Sequence, residues 1–225
     1  MGILVKLNKK VKVAMKNILL SIETPYIDTQ TLLSLLTGYR QPRERILRMV
    51  KNDELIRLKN GFFLITDKIR RGSNTLIPYE QVANLLYGPS YVSLEWALSF
   101  YGMIPERVHT VTSMTLGRNK EYHTPIGDFV YHRLSSFSYS IGITQKQSVD
   151  FIGGFLMASP EKALADLVFV SCKGLDKVQL KQDLLESKRI DPECLHQMDK
   201  ALLVEIAKAY RAKTVSYLID IIGMI

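Results

Sequence analysis

The sequence predicts an α+β protein in two parts: a small basic head of helices and a hairpin, then a larger mixed body with a small sheet and a helical C-terminal end. Three observations predict it. Residues 1–72 hold 15 Lys and Arg against 6 Asp and Glu, a net of +9, whereas residues 73–225 hold 15 against 16, a net of −1. In the head, an Asn60-Gly61 dipeptide separates two short strand-like runs directly after helical patterns. Beyond residue 90, strand-like alternation and helical periodicity take turns before helical patterns alone remain. With 47% hydrophobic and 23% charged residues over 225 positions, the chain can bury one large core or two smaller ones, and disorder is not expected.

Within the head, KVAMKNILLSIE at 12–23 sets Val13, Ile18, Leu19 and Ile22 on one side at helical spacing, and Pro25 stops that helix. Asp28 or Thr29 can cap a second helix, TQTLLSLLT, by accepting from its first-turn amides, with Gly38 as its end. A third helix starts near Gln41, where Pro42 suits the first position because its missing N–H had no partner there. At about 100° per residue, Ile46, Leu47 and Val50 gather on one face for packing, and Gln41, Glu44, Arg45, Arg48 and Asn52 gather on the other. The hairpin about Asn60-Gly61 carries Arg57 and Lys59 near its tip.

Helix, helix, turn, basic helix and hairpin is the order of a winged helix-turn-helix, expected over 1–72. Such a module places its third helix in the major groove, where Arg donates twice to guanine and Gln pairs with adenine. Gln41, Arg45 and Arg48 are the candidates for reading bases. Arg40, Arg43, Lys51, Arg57 and Lys59 are assigned to phosphates, which give affinity and register without sequence information. A merely solvated charged face is the competing reading for such a helix alone, and winged helices also dock proteins. A linker is expected over 73–80, after the basic KIRRG run.

The body, 81–225, reads as follows. Ser93 can cap a helix with Leu94, Ala97, Leu98 and Tyr101 on one face and Gly102 at its end. Strands are expected at 107–114, 122–124 and 128–133. A strand and then a helix capped by Ser159, with Pro160 first and Glu161 and Lys162 on its first turn, are expected over 155–171. Further helices are expected at 178–187, 193–210 and 213–222. Trp96 and Phe100, neighbours on a helix, are expected to pack in the core, and Arg107, Arg118, Lys120 and Arg133 are candidates for a local basic face.

Enzymatic chemistry finds little support. His109, His123 and His132 lack metal-ligand spacing, and Cys172 and Cys194 form no motif with them, so neither a metal nor a cofactor is expected. Glu161, Lys162 and Asp166 mix acid and base as nuclease sites do, yet Glu161 and Asp166 do not share a helix face, and capping explains Glu161 better. No phosphate-cradling glycine loop or nucleophile elbow is present. A non-enzymatic, soluble, cytoplasmic protein is therefore expected, with neither signal peptide nor membrane span.

Three stretches carry a family resemblance: SYVSLEWALSFYGMIPERVHTVTS at 90–113, the G-x-F-x-Y of Gly127, Phe129 and Tyr131, and SPEKALADLVF at 159–169. Preceded by this head, they resemble the AbiEi antitoxins of type IV toxin–antitoxin systems, from about residue 18 to about 169. The resemblance implies that the head binds inverted repeats in double-stranded DNA upstream of its own operon and represses it. It further implies that the body counters a co-encoded AbiEii-like nucleotidyltransferase toxin without a stable complex. Palindromic operators imply two copies per site. A regulator whose body is a ligand sensor or interaction module unrelated to any toxin is the competing class.

Overall fold

A computed structural model describes Leu19 and residues 21–71 and 74–224. These form a mixed α+β structure that divides into two compact units. One comprises the residues up to Pro78 with 124–126 and 148–153; the other comprises Tyr79–His123, Gly127–Gln147 and the residues from Gly154 onward. The boundary falls inside the expected linker, because a helix already begins at Tyr79.

In the first unit, strand β1 (Tyr26–Asp28) leads into helix α1 (Thr29–Leu35), capped as expected by Asp28, whose carboxylate accepts from the Thr31 N–H at 2.7 Å. Helix α2 (Pro42–Lys51) begins on the proline. Strands β2 (Leu55–Lys59) and β3 (Phe62–Ile65) form the expected hairpin, turned at Gly61, whose φ of +83° suits a residue without Cβ. β1 pairs with the far side of β3, giving the order β1-β3-β2. A buried cluster of Leu19, Ile27, Leu32, Leu36, Ile46, Met49, Leu55, Phe63 and Ile65 ties α1 and α2 to this sheet. The helix expected over 12–23 lies mostly outside the described residues. After a short turn of helix, α3 (Thr66–Ile69), the expected connector forms a two-residue ladder of β4 (Arg70–Arg71) with β5 (Asn74–Thr75).

The second unit is built on a six-stranded sheet. Helix α4 (Tyr79–Leu86) precedes β6 (Ser90–Val92), α5 (Leu94–Phe100), β7 (Val111–Thr115), β8 (Lys120–Thr124) and β9 (Gly127–Arg133). After α6 (Ser136–Tyr139) come β10 (Ile143–Gln147), β11 (Gly154–Ala158) and helix α7 (Pro160–Ser171). The strand order is β10-β11-β6-β7-β9-β8, with β11 parallel to β6 and β7 parallel to β9. Successive strand residues face opposite ways, so Ser90 bonds the α4 carbonyl of Ala83 while Tyr91 bonds Asp166 on α7. The sheet is thus covered on both faces, and every residue of central β7 is buried.

The helical end follows as α8 (Lys177–Gln182) running into a π-helical turn, then α9 (Pro192–His196), α10 (Lys200–Tyr210) and α11 (Lys213–Met224). The single helix expected over 193–210 is broken in two, because Asp199 caps a new start by accepting from the amides of Ala201 and Leu202. Among the described residues, no helix is long and apolar enough to cross a membrane.

Candidate nucleic-acid interface

The burial pattern of α2 fixes which side chains the first unit presents. Ile46 and Met49 are buried and Val50 is half-buried, whereas Leu47 is 56% exposed. The packed face is therefore centred roughly 60° away from the one expected, because Met49 takes the inward place assigned to Leu47. Two residues change role as a result. Leu47 moves to the surface, and Arg45 moves to the edge of the core, where its side chain is only 14% exposed and its guanidinium lies 3.9 Å from Glu54. Arg45, expected to share the outward face with Arg48, therefore stands apart from it beside Glu54.

The other candidates remain outward. Arg40, Gln41, Arg43 and Lys51 are exposed, and Gln41 occupies the N-cap position without using its side chain as a cap. Arg48 is 67% exposed and holds Glu44 one turn earlier at 3.3 Å, an exposed ion pair of the weak kind. On the hairpin, the exposed Arg57 guanidinium stands 5.8 Å from the Phe63 ring centre and the Lys59 ammonium 5.9 Å from that of Phe62. These ring contacts hold both cations over the β2–β3 surface. Partial burial lowers the Lys59 pKa from its ordinary value.

Mixed acid and base in the second unit gather in a different way from any open site. Lys162 and Asp166, one turn apart on α7, are both 0% exposed. Asp166 accepts from the Tyr91 hydroxyl at 3.0 Å, from Ser93 at 2.6 Å and from Tyr210. Lys162 donates to the Tyr210 hydroxyl at 2.8 Å and to the Ser138 carbonyl. The ammonium and carboxylate are 3.9 Å apart, so the Tyr210 hydroxyl links them: it accepts from one and donates to the other. Burial pushes the lysine down to about 8 despite Asp166, and pushes the Asp166 carboxyl up despite its four partners.

This cluster fastens β6, α6, α7 and α10 around one charge pair, and every member of it is buried. Ser93 was expected to cap α5; instead its hydroxyl is spent on Asp166. Glu161 is buried and accepts from the Ser159 hydroxyl at 2.8 Å and the Asp199 amide at 2.9 Å, so it joins two helix starts. Ser159 caps α7 as expected, accepting from the Lys162 amide at 3.3 Å.

The remaining candidates are dispersed. His109 and His123 are exposed, the latter bonded to Asp128 at 2.9 Å, and His132 is half-buried. Contrary to expectation, Trp96 is only half-buried, its indole N–H donating to Glu80 at 2.9 Å, and Phe100 is 50% exposed. With Ser99, Arg107 and Val108 they line a shallow cleft. The Arg133 amide donates to Asn119, which gathers the exposed Arg118, Lys120 and Arg133 at one end of the sheet. Among the described residues, no three His, Cys, Asp or Glu side chains cluster as a metal requires. Comparison of the chain with protein-family models and with curated proteins returns no match.

Proposed function

We propose that the chain is a DNA-binding autorepressor and type IV antitoxin, whose first unit is a winged helix-turn-helix. One observation carries the duplex-binding part. Gln41, Arg43, Arg48 and Lys51 stand outward on or beside α2, in the same unit as a hairpin that presents Arg57 and Lys59. In this reading α2 enters the major groove, with Gln41 and Arg48 on base edges, and the hairpin lies along adjacent phosphates. Arg45 anchors the helix instead. The antitoxin part rests on the likeness of segments 90–113, 127–131 and 159–169 to AbiEi proteins. It implies an AbiEii-like nucleotidyltransferase as the toxin, opposed without a stable complex, and two copies of the chain on an inverted repeat.

The test is a reporter driven by the chain's own promoter, with the full chain supplied in trans. Wild type should silence it, and Arg43→Ala/Arg48→Ala/Lys51→Ala should relieve that silence at equal protein level. Repression unchanged by the triple variant would refute the interface. Growth rescue by the full chain of cells expressing a neighbouring nucleotidyltransferase tests the antitoxin part; failure to rescue would remove it.

A second reading, a regulator with a sensing body, would use the open surface pocket lined by Lys173, Asp176, Lys213 and Tyr217. A small-molecule inducer that lifts repression in that reporter would support it.

A further inference from the structure

Leu47 breaks the polar surface of α2. Its side chain is 56% exposed at the middle of the helix, on the same i±4 ridge as the exposed Arg43 before it and the exposed Lys51 after it, and next to Arg48. The hydrophobic core of the unit is filled from the other side by Ile46 and Met49, so Leu47 adds nothing to it. The position therefore exposes apolar area on a charged surface where Arg43, Arg48 and Lys51 outnumber the exposed Glu44. The centre of a protein–protein interface is depleted in charge, which argues against a protein partner on a leucine bracketed by cations. A duplex suits both features, because its phosphates meet the cations while one base edge in the major groove is apolar: the C5-methyl of thymine.

We propose that Leu47 is a specificity-determining residue that packs on a thymine methyl in the major groove, while Arg43 and Lys51 hold the flanking phosphates. The inference rests on the duplex-binding reading above and adds a residue and a base to it. Arg45, displaced to the edge of the core, gives up the base-reading role to its exposed neighbours. The predicted footprint is one thymine per half-site whose methyl group matters, next to the bases met by Arg48 and Gln41.

The experiment starts from a duplex selected out of a random pool by the full-length chain. Each thymine is then replaced in turn by deoxyuridine, which removes the methyl and nothing else, and affinities are read by fluorescence anisotropy. For the wild type, one thymine per half-site should show an affinity about 4-fold weaker after replacement, the factor expected for losing one buried methyl. Leu47→Ala should bind the thymine and uracil duplexes equally at that position and the others as wild type does. Leu47→Met, which keeps an apolar surface, should retain the difference. Absence of any methyl-sensitive thymine in the wild type, or a full methyl effect surviving in Leu47→Ala, would overturn the assignment while leaving duplex binding intact. Failure of the wild type to bind any duplex at low salt would instead overturn the duplex-binding reading, and this inference with it.

Discussion

Replacing Asp166 by Ala should destabilise the second unit more than any change to its charged partner. In the native protein the carboxylate takes three hydroxyl hydrogen bonds, from Tyr91, Ser93 and Tyr210, and faces the Lys162 ammonium at 3.9 Å. In Asp166→Ala the ammonium loses its counter-charge at a site with no exposure to water. It can escape by releasing its proton, which at pH 7 costs at most about 1.4 kcal/mol, because burial has already brought its pKa down to about 8. The Tyr91 and Ser93 hydroxyls lose their acceptor, at roughly 1–2 kcal/mol each. The total is about 4 kcal/mol, within the range for breaking one side of a buried ion pair and a large share of a domain's stability. Lys162→Met should cost less, about 2 kcal/mol, because Asp166 keeps its three donors and can take up the proton that burial already favours. Urea unfolding followed by fluorescence of Trp96, the sole tryptophan, reports on this unit. A loss below about 1 kcal/mol for Asp166→Ala, or a larger loss for Lys162→Met, would refute the hub role of the carboxylate.

The same pair predicts a pH dependence. With the folded pKa of Lys162 near 8 and an unfolded value of 10.5, the unfolded chain holds the extra proton between them, so stability gained from this group rises with pH across that window and is lost as pH falls through 8. The wild type should therefore gain on Lys162→Met by up to about 3 kcal/mol from pH 8 to 10.5, measured as the difference in urea midpoint stability; a flat difference would contradict the shift. Gly142→Ala should destabilise by on the order of 2–3 kcal/mol, since φ is +74° and the new Cβ would stand 2.9 Å from the Lys162 Cβ; a neutral effect on the melting temperature would contradict that crowding. Arg45→Met should leave sequence preference in a duplex selection unchanged and stability within about 1 kcal/mol, because its Glu54 partner is at 3.9 Å; relaxed preference at one base would restore it as a reader.

Local signals in the chain foretold local structure. The Asp28 cap, Pro42 at the start of α2, the Gly61 turn and the Ser159-Pro160 start of α7 each depend on a few adjacent residues, and all were legible. What escaped depends on tertiary partners. Leu47 and Met49 are equally apolar in sequence, and only the placement of α1 and the sheet decides which one is covered. Strand β6 has three residues and β10 reads ITQKQ, so neither carries enough alternation to be seen alone. Ser93 looked like a helix cap because its competing acceptor, Asp166, lies 73 residues away. A signal for the buried cluster was nevertheless present: in EKALADLVFV, Lys162 and Asp166 stand one turn apart among apolar residues, a spacing that pairs charges on a helix whose other sides must be buried.

The salt dependence of duplex binding decides most directly whether the exposed cations of the first unit do what their placement implies. With Arg40, Arg43, Arg48, Lys51, Arg57 and Lys59 all meeting phosphates, the full chain on a random duplex should show a plot of log affinity against log salt with a slope of about −5. Arg43→Ala/Arg48→Ala/Lys51→Ala should flatten that slope by about 3 units. A slope near zero in the wild type, or one that the triple variant leaves unchanged, would show that this surface does not meet DNA.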